Sequence, residues 1–177
     1  MLRMSHSISV LFAFGLMSAP LVSQANNTVY FLGEVSEQTC TVKINNSTAS
    51  PIILLPTVSK SQLASSGSTA GDTPFTVTLD NCNSQGTTAG IVFVANDVDG
   101  RDLKNIATHS PATNVAIQLL EGATALDFTG NKAQTSMQNI GGGATSANFD
   151  MVARYYATGV ATAGAVEAQA QFAVTYL

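Results

Sequence analysis

Residues 164–177 read Gly-Ala-Val-Glu-Ala-Gln-Ala-Gln-Phe-Ala-Val-Thr-Tyr-Leu. Alternate positions are apolar: Val166, Ala168, Ala170, Phe172, Val174 and Tyr176. The other parity carries Glu167, Gln169, Gln171, Ala173 and Thr175. A repeat of two is the period of a half-buried strand, not of a helix. The stretch is long for a strand and no turn follows it. Its backbone is expected to present an open edge, and an open edge is a template for another chain. The stretch therefore points to an all-β fold and to a protein partner.

The other end of the chain reads differently. Arg3 and His6 precede an apolar run over residues 8–22, interrupted by Gly15 and Pro20. Ser23-Gln24-Ala25 then supplies small residues where a signal peptidase cuts. Residues 1–25 are read as a secretory signal. The alternative, a membrane anchor, needs an uninterrupted apolar stretch of about 20 residues. Removing 25 of the 177 residues leaves 152, enough for one domain with a sizeable core.

Only 10% of residues are charged. Without Arg3 the balance is 6 basic against 11 acidic residues, a net charge of −5. No Lys/Arg cluster occurs, which argues against nucleic acid as a partner. The apolar content, 45%, is too high for a disordered chain.

Cys40 and Cys82 are the two cysteines. Both follow the signal and so reach an oxidising compartment, where a pair is most simply one disulfide. Each lies beside strand-like sequence, Cys40 within residues 38–44 and Cys82 just after residues 75–79. Further strands are expected over residues 51–55, 90–95, 114–120 and 147–157, and one short helix over residues 57–64. Ser66-Gly67, Ala70-Gly71-Asp72, Asp99-Gly100, Gly130-Asn131 and Gly141-Gly142-Gly143 are read as turns. Many short strands at this spacing predict a sandwich of two sheets.

Before the first cysteine, Val29, Phe31, Gly33 and Val35 alternate with Tyr30, Leu32 and Glu34. Two readings fit: an ordinary first strand, or a detachable arm that pairs with the open edge of another subunit.

Other motifs carry no chemistry in this reading. Asp97-Val98-Asp99-Gly100-Arg101-Asp102 begins like a calcium loop but lacks the closing carboxylate, and is read as an acidic turn. His109 and Ser110 have no nucleophile-elbow frame. The sequons at Asn45 and Asn46 are read as turn residues. The glycines at 141–143 do not sit between a strand and a helix, so no phosphate loop is expected. No cofactor, metal or catalytic residue is assigned.

The chain resembles the pilin subunits of chaperone–usher fimbriae, especially the type 1 fimbrial major-subunit group. The resemblance rests on Gly33-Glu34-Val35 ahead of Cys40, on Leu55-Pro56-Thr57-Val58 leading to Leu63, and on Ala70-Gly71-Asp72-Thr73-Pro74-Phe75 leading to Cys82. It continues through Val115-Ala116-Ile117-Gln118-Leu119 and Ala153-Arg154-Tyr155-Tyr156-Ala157-Thr158-Gly159, and closes with Gly164 and the penultimate Tyr176.

The resemblance implies an incomplete immunoglobulin-like sandwich that lacks its final strand. A periplasmic chaperone first fills the gap with a strand of its own. At the outer-membrane usher, the N-terminal arm of the next subunit replaces it. Such a chain has a signal over residues 1–25, a donor-strand arm over 26–36 and a pilin domain over 37–177. The donor residues are Val29, Phe31, Gly33 and Val35. The acceptor groove and chaperone contact are Gly164, Val166, Ala168, Ala170, Phe172, Val174, Tyr176 and Leu177. The implied function is structural and non-enzymatic: a subunit polymerising through neighbouring pilins into an adhesive cell-surface fibre after export through the periplasm. The alternatives are a minor adaptor or tip pilin, and a secreted β-sandwich enzyme.

Overall fold

The computed structural model describes residues 40–48, 51–82, 88–141 and 143–177, all within one compact unit, Val35–Leu177. The expected signal and arm, including Val29, Phe31, Gly33 and Val35, lie outside the described residues.

Eleven strands follow in chain order: β1 (Thr41–Ile44), β2 (Thr69–Asp80), β3 (Thr88–Val94), β4 (Val98–Asp99), β5 (Asp102–Lys104) and β6 (Val115–Glu121). Then come β7 (Thr124–Ala125), β8 (Lys132–Gln134), β9 (Gln138–Asn139), β10 (Ala147–Ala157) and β11 (Gln171–Tyr176). The first sheet runs β1-β2-β10-β6-β5-β4, with β7 also on β6; the second runs β11-β3-β8, with β9 on β3. All these pairings are antiparallel. The all-β sandwich expected from the sequence is the fold that forms.

Alternation explains the core. Phe75, Val77 and Leu79 of β2, Phe149, Met151 and Ala153 of β10, and Ile117 and Leu119 of β6 form one face of the first sheet. They pack in a single cluster with Ala89, Ile91 and Phe93 of β3. Cys40 and Cys82 are disulfide-bonded, joining the residue before β1 to the end of β2 across 42 residues.

Three expectations change. Residues 51–55 join no ladder. Ile53 and Leu55 pack on the core, but Ile52 and Leu54 are 89% and 85% exposed. The alternation there marks an extended segment with one face on the core, and periodicity alone does not tell such a segment from a paired strand. The helix over 57–64 shrinks to a 3₁₀ turn, Lys60–Leu63, in which Ser59 Oγ accepts from Ser61 N at 3.3 Å. Serines at 59, 61, 65 and 68 bond locally and favour turns over helix. Ala70-Gly71-Asp72 is not a turn but part of β2, with Gly71 at φ +71° beside an irregularity in the register to β10. Pro74 fits in β2 because it lies past the end of β1, where β2 is an edge.

The outer face of the first sheet holds a buried polar chain. Gln118 Nε2 donates to Asp102 Oδ1 at 3.0 Å. Gln118 Oε1 accepts from Arg154 Nη2 at 2.6 Å and from Nε at 3.0 Å. Burial pushes the Asp102 carboxyl up, against the opposing pull of the Gln118 hydrogen bond. Asp80 and Asp127 are held down, by Lys43 and Thr129 respectively. The signs oppose each other. Asp102 binds a proton more readily folded than unfolded, so its ionisation costs stability as pH rises above the ordinary aspartate range. Asp80 and Asp127 support the fold above that range, and their support is lost as pH falls through their lowered values.

Two outcomes are expected. Asp102→Asn keeps an acceptor for Gln118 and should be at least as stable as the unaltered chain at pH 7. That advantage should shrink toward pH 4, as thermal unfolding at the two pH values will show. Replacing both cysteines by serine should lower the urea-unfolding free energy by about 4 kcal/mol, the chain-entropy value for a loop of this length.

Candidate functional site: an open groove beside the C-terminal strand

The second sheet ends at β11. On one side it pairs with β3, from Gln171↔Val94 to Tyr176↔Ala89. On its other side it has no partner strand among the described residues. That side opens on a groove of about 990 Å³. One lip is formed by residues 51–55 and the other by residues 166–172. The floor is the hydrophobic core itself: Phe75, Phe93, Leu103, Ile117, Leu119 and Ala153 line it, with Tyr155. Burial there pushes the Tyr155 phenol above its usual value. A seven-residue lip in extended conformation spans about 23 Å.

The lip over residues 166–172 is held at its ends. At one end Asn105 is a four-way hub. Its Nδ2 donates to the carbonyls of Ala112 and Ala165, both at 2.9 Å. Its Oδ1 accepts from the amides of Ala107 and Glu167, both at 3.0 Å. Ile106 N donates to Glu167 O at 2.8 Å, and Ala165 N to Ser110 O at 2.8 Å. Gly164 makes this approach possible, because a Cβ there would strike the backbone of residues 110–112. At the other end the lip passes into β11, where the Phe172 ring lies 6.4 Å from that of Phe93. Between the two anchors, no backbone hydrogen bond links residues 168–170 to another described residue.

The residues singled out in the sequence separate into three groups. Val166, Ala168, Ala170 and Phe172 line the groove. Gly164 serves the anchor beside it. Val174 and Tyr176 are half-buried against the core beyond the groove lining, and the Leu177 backbone exchanges two hydrogen bonds with Thr88, at 2.9 and 3.0 Å. The strand expected over the whole alternating stretch is a ladder only over Gln171–Tyr176. The sequence reading missed Asn105, whose one local signal is its turn-forming bond to Ala107, and the opposite lip at residues 51–55. Among the described residues, no group of three or more His, Cys, Asp or Glu could hold a metal. No helix there is long and apolar enough to cross a membrane.

The Fimbrial family model, described as fimbrial protein, matches residues 29–177. The chain belongs to that family. It is a structural subunit of a fimbria, not an enzyme. This fimbrial subunit is similar to the F17 fimbrial protein of Escherichia coli, at 34% identity over 93% of this chain and 97% of that one. It is also similar to the minor fimbrial subunit HifD of Haemophilus influenzae, at 36% identity over 84% of this chain and 73% of that one. A chain in the solved structure of a chaperone-usher pilus shares its fold, with a TM-score of 0.56 and 20% identity over 90% of this chain and 100% of that one.

Asn105→Ala should leave the amides of Ala107 and Glu167 and the carbonyl of Ala112 without this partner, while Ala165 O keeps its bond from Ala112 N. We expect a loss of about 1–3 kcal/mol of stability. Faster amide hydrogen exchange should appear at Ala107 and Glu167, with β2 and β10 unchanged, readable by mass spectrometry.

Proposed function

We propose that the groove is an acceptor for a strand supplied by another chain, and that the subunit polymerises by exchanging such strands. One observation carries this reading: an apolar groove floored by the core lies beside a strand edge that has no partner among the described residues. Unpaired backbone beside an apolar groove is costly. A strand laid between the lips removes that cost: its main chain pairs along β11 and its alternate side chains fill the groove. In this reading the sandwich is immunoglobulin-like and lacks its final strand.

The donor is the arm over residues 26–36, ahead of a pilin body over residues 37–177. Val29, Phe31, Gly33 and Val35 face the acceptor's core. From Val29 to Val35 the arm has the same seven-residue length as the lip. A slip of one residue would turn every apolar side chain outward, so alternation sets the register. Val166, Ala168, Ala170 and Phe172 receive the arm, and Val174, Tyr176 and Leu177 continue the wall. Before assembly, a periplasmic chaperone fills the groove and holds the Leu177 carboxylate through basic side chains. The signal over residues 1–25 directs export, and the outer-membrane usher is where one strand replaces the other.

A second reading, a minor adaptor or tip subunit, is favoured by the similarity to HifD. Electron microscopy of cells lacking the protein separates the two: loss of shafts marks the main subunit, and altered number or tips a minor one.

Gly33→Arg is the test of exchange. A bulky side chain in a packed groove costs about 1–3 kcal/mol or more, so multimers should fall by about tenfold. The chaperone complex should persist, because the arm is not what the chaperone covers. Heat-resistant multimers and chaperone complexes are resolved on a gel. Undiminished multimers, or loss of the chaperone complex, would sink the assignment.

A further inference from the structure

Tyr176 sits at the end of β11, opposite Ala89 of β3. Its ring packs against the core, and its hydroxyl accepts a hydrogen bond from the backbone N–H of Cys40 at 3.1 Å. Cys40 is the residue before β1, and its sulfur is bonded to Cys82. Cys82 N donates in turn to Thr145 O at 2.9 Å. Cys40 is therefore fixed twice: covalently to the end of β2 in the first sheet, and by hydrogen bond to β11 in the second. The hydrogen bond spans 136 residues of sequence. It holds the peptide group that joins Cys40 to everything before it in the chain.

We infer that Tyr176 is a positioning residue for the donor role of its own subunit. This rests on the strand-exchange reading given above. The tyrosine lies on the acceptor strand, yet its hydroxyl acts on the main chain at Cys40, four residues after the end of the arm. Fixing that peptide limits the directions open to the residues ahead of it. An arm with fewer directions loses less entropy when it enters a neighbour's groove. The disulfide holds Cys40 through its side chain, and the hydrogen bond adds a hold on its main-chain N–H. Any hydroxyl-free aromatic at position 176 keeps the packing and the pairing with Ala89 but releases Cys40 N–H.

Tyr176→Phe separates the roles. Full-length chains are purified in chaperone-bound form and mixed in pairs distinguishable by mass. A Gly33→Arg chain serves as a partner that accepts but does not donate. Capture of the Tyr176→Phe arm by that partner reads the donor role. Capture of unaltered arms by a Gly33→Arg, Tyr176→Phe chain reads the acceptor role. The donor rate should fall about three- to tenfold, the range for one hydrogen bond, and further than the acceptor rate. Hydrogen exchange at the Cys40 amide should accelerate by a similar factor in the same variant. An acceptor rate that falls as far as the donor rate, or a donor rate that does not change, overturns the inference. If unaltered chains exchange no arms in either role, the strand-exchange reading itself fails, and this inference with it.

Discussion

Backbone pairing governs this molecule. Its strands meet by antiparallel ladders, and among the described residues β11, an edge strand that borders the apolar groove, is paired on one side only. A peptide group removed from water without a partner costs more than most side-chain contacts return. The groove, its two lips and the anchors at either end all follow from this one edge. Asn105 and Gly164 fix the lip from one end, and the Leu177–Thr88 pair fixes β11 from the other. The stretch between them is held in place without being completed. A site of this kind needs no catalytic group, because what it offers is a shape and a row of unspent hydrogen bonds.

Much of this was legible in the sequence, for physical reasons that differ by element. β10 matches its expected span, Ala147–Ala157, because a strand buried on one face must alternate, and Phe149, Met151 and Ala153 do. β3 and β6 were placed within two residues by their apolar runs. The disulfide was legible because two cysteines in an exported chain have one intramolecular pairing open to them. The two- and three-residue strands β4, β5, β7, β8 and β9 were not, since so short a piece shows no period. The lip over residues 51–55 alternates like a strand but pairs with none, because a period reports which face is buried and says nothing of the edges. Asn105 was invisible for a related reason: its four partners come from three separate stretches of chain, 107, 112 and 165–167.

The buried chain from Asp102 through Gln118 to Arg154 shows the fold accepting a cost away from the groove. An apolar residue at 118 would leave a carboxylate and a guanidinium without the group between them. The neutral amide suits both, donating to one and accepting from the other, so β5, β6 and β10 share one register of side chains on their outer face. Specificity of pairing is the gain, as in other polar networks that join strands.

The disulfide has a mechanical meaning as well as a thermodynamic one. A pull applied to the chain ahead of Cys40 passes through the sulfur atoms to Cys82. Everything between them lies on a slack branch: β1, the lip at residues 51–55, the 3₁₀ turn and β2. Load drawn along the polypeptide bypasses that branch altogether. One wall of the groove is thus insulated from tension in its own backbone, and it can keep its shape while the rest of the chain is stretched.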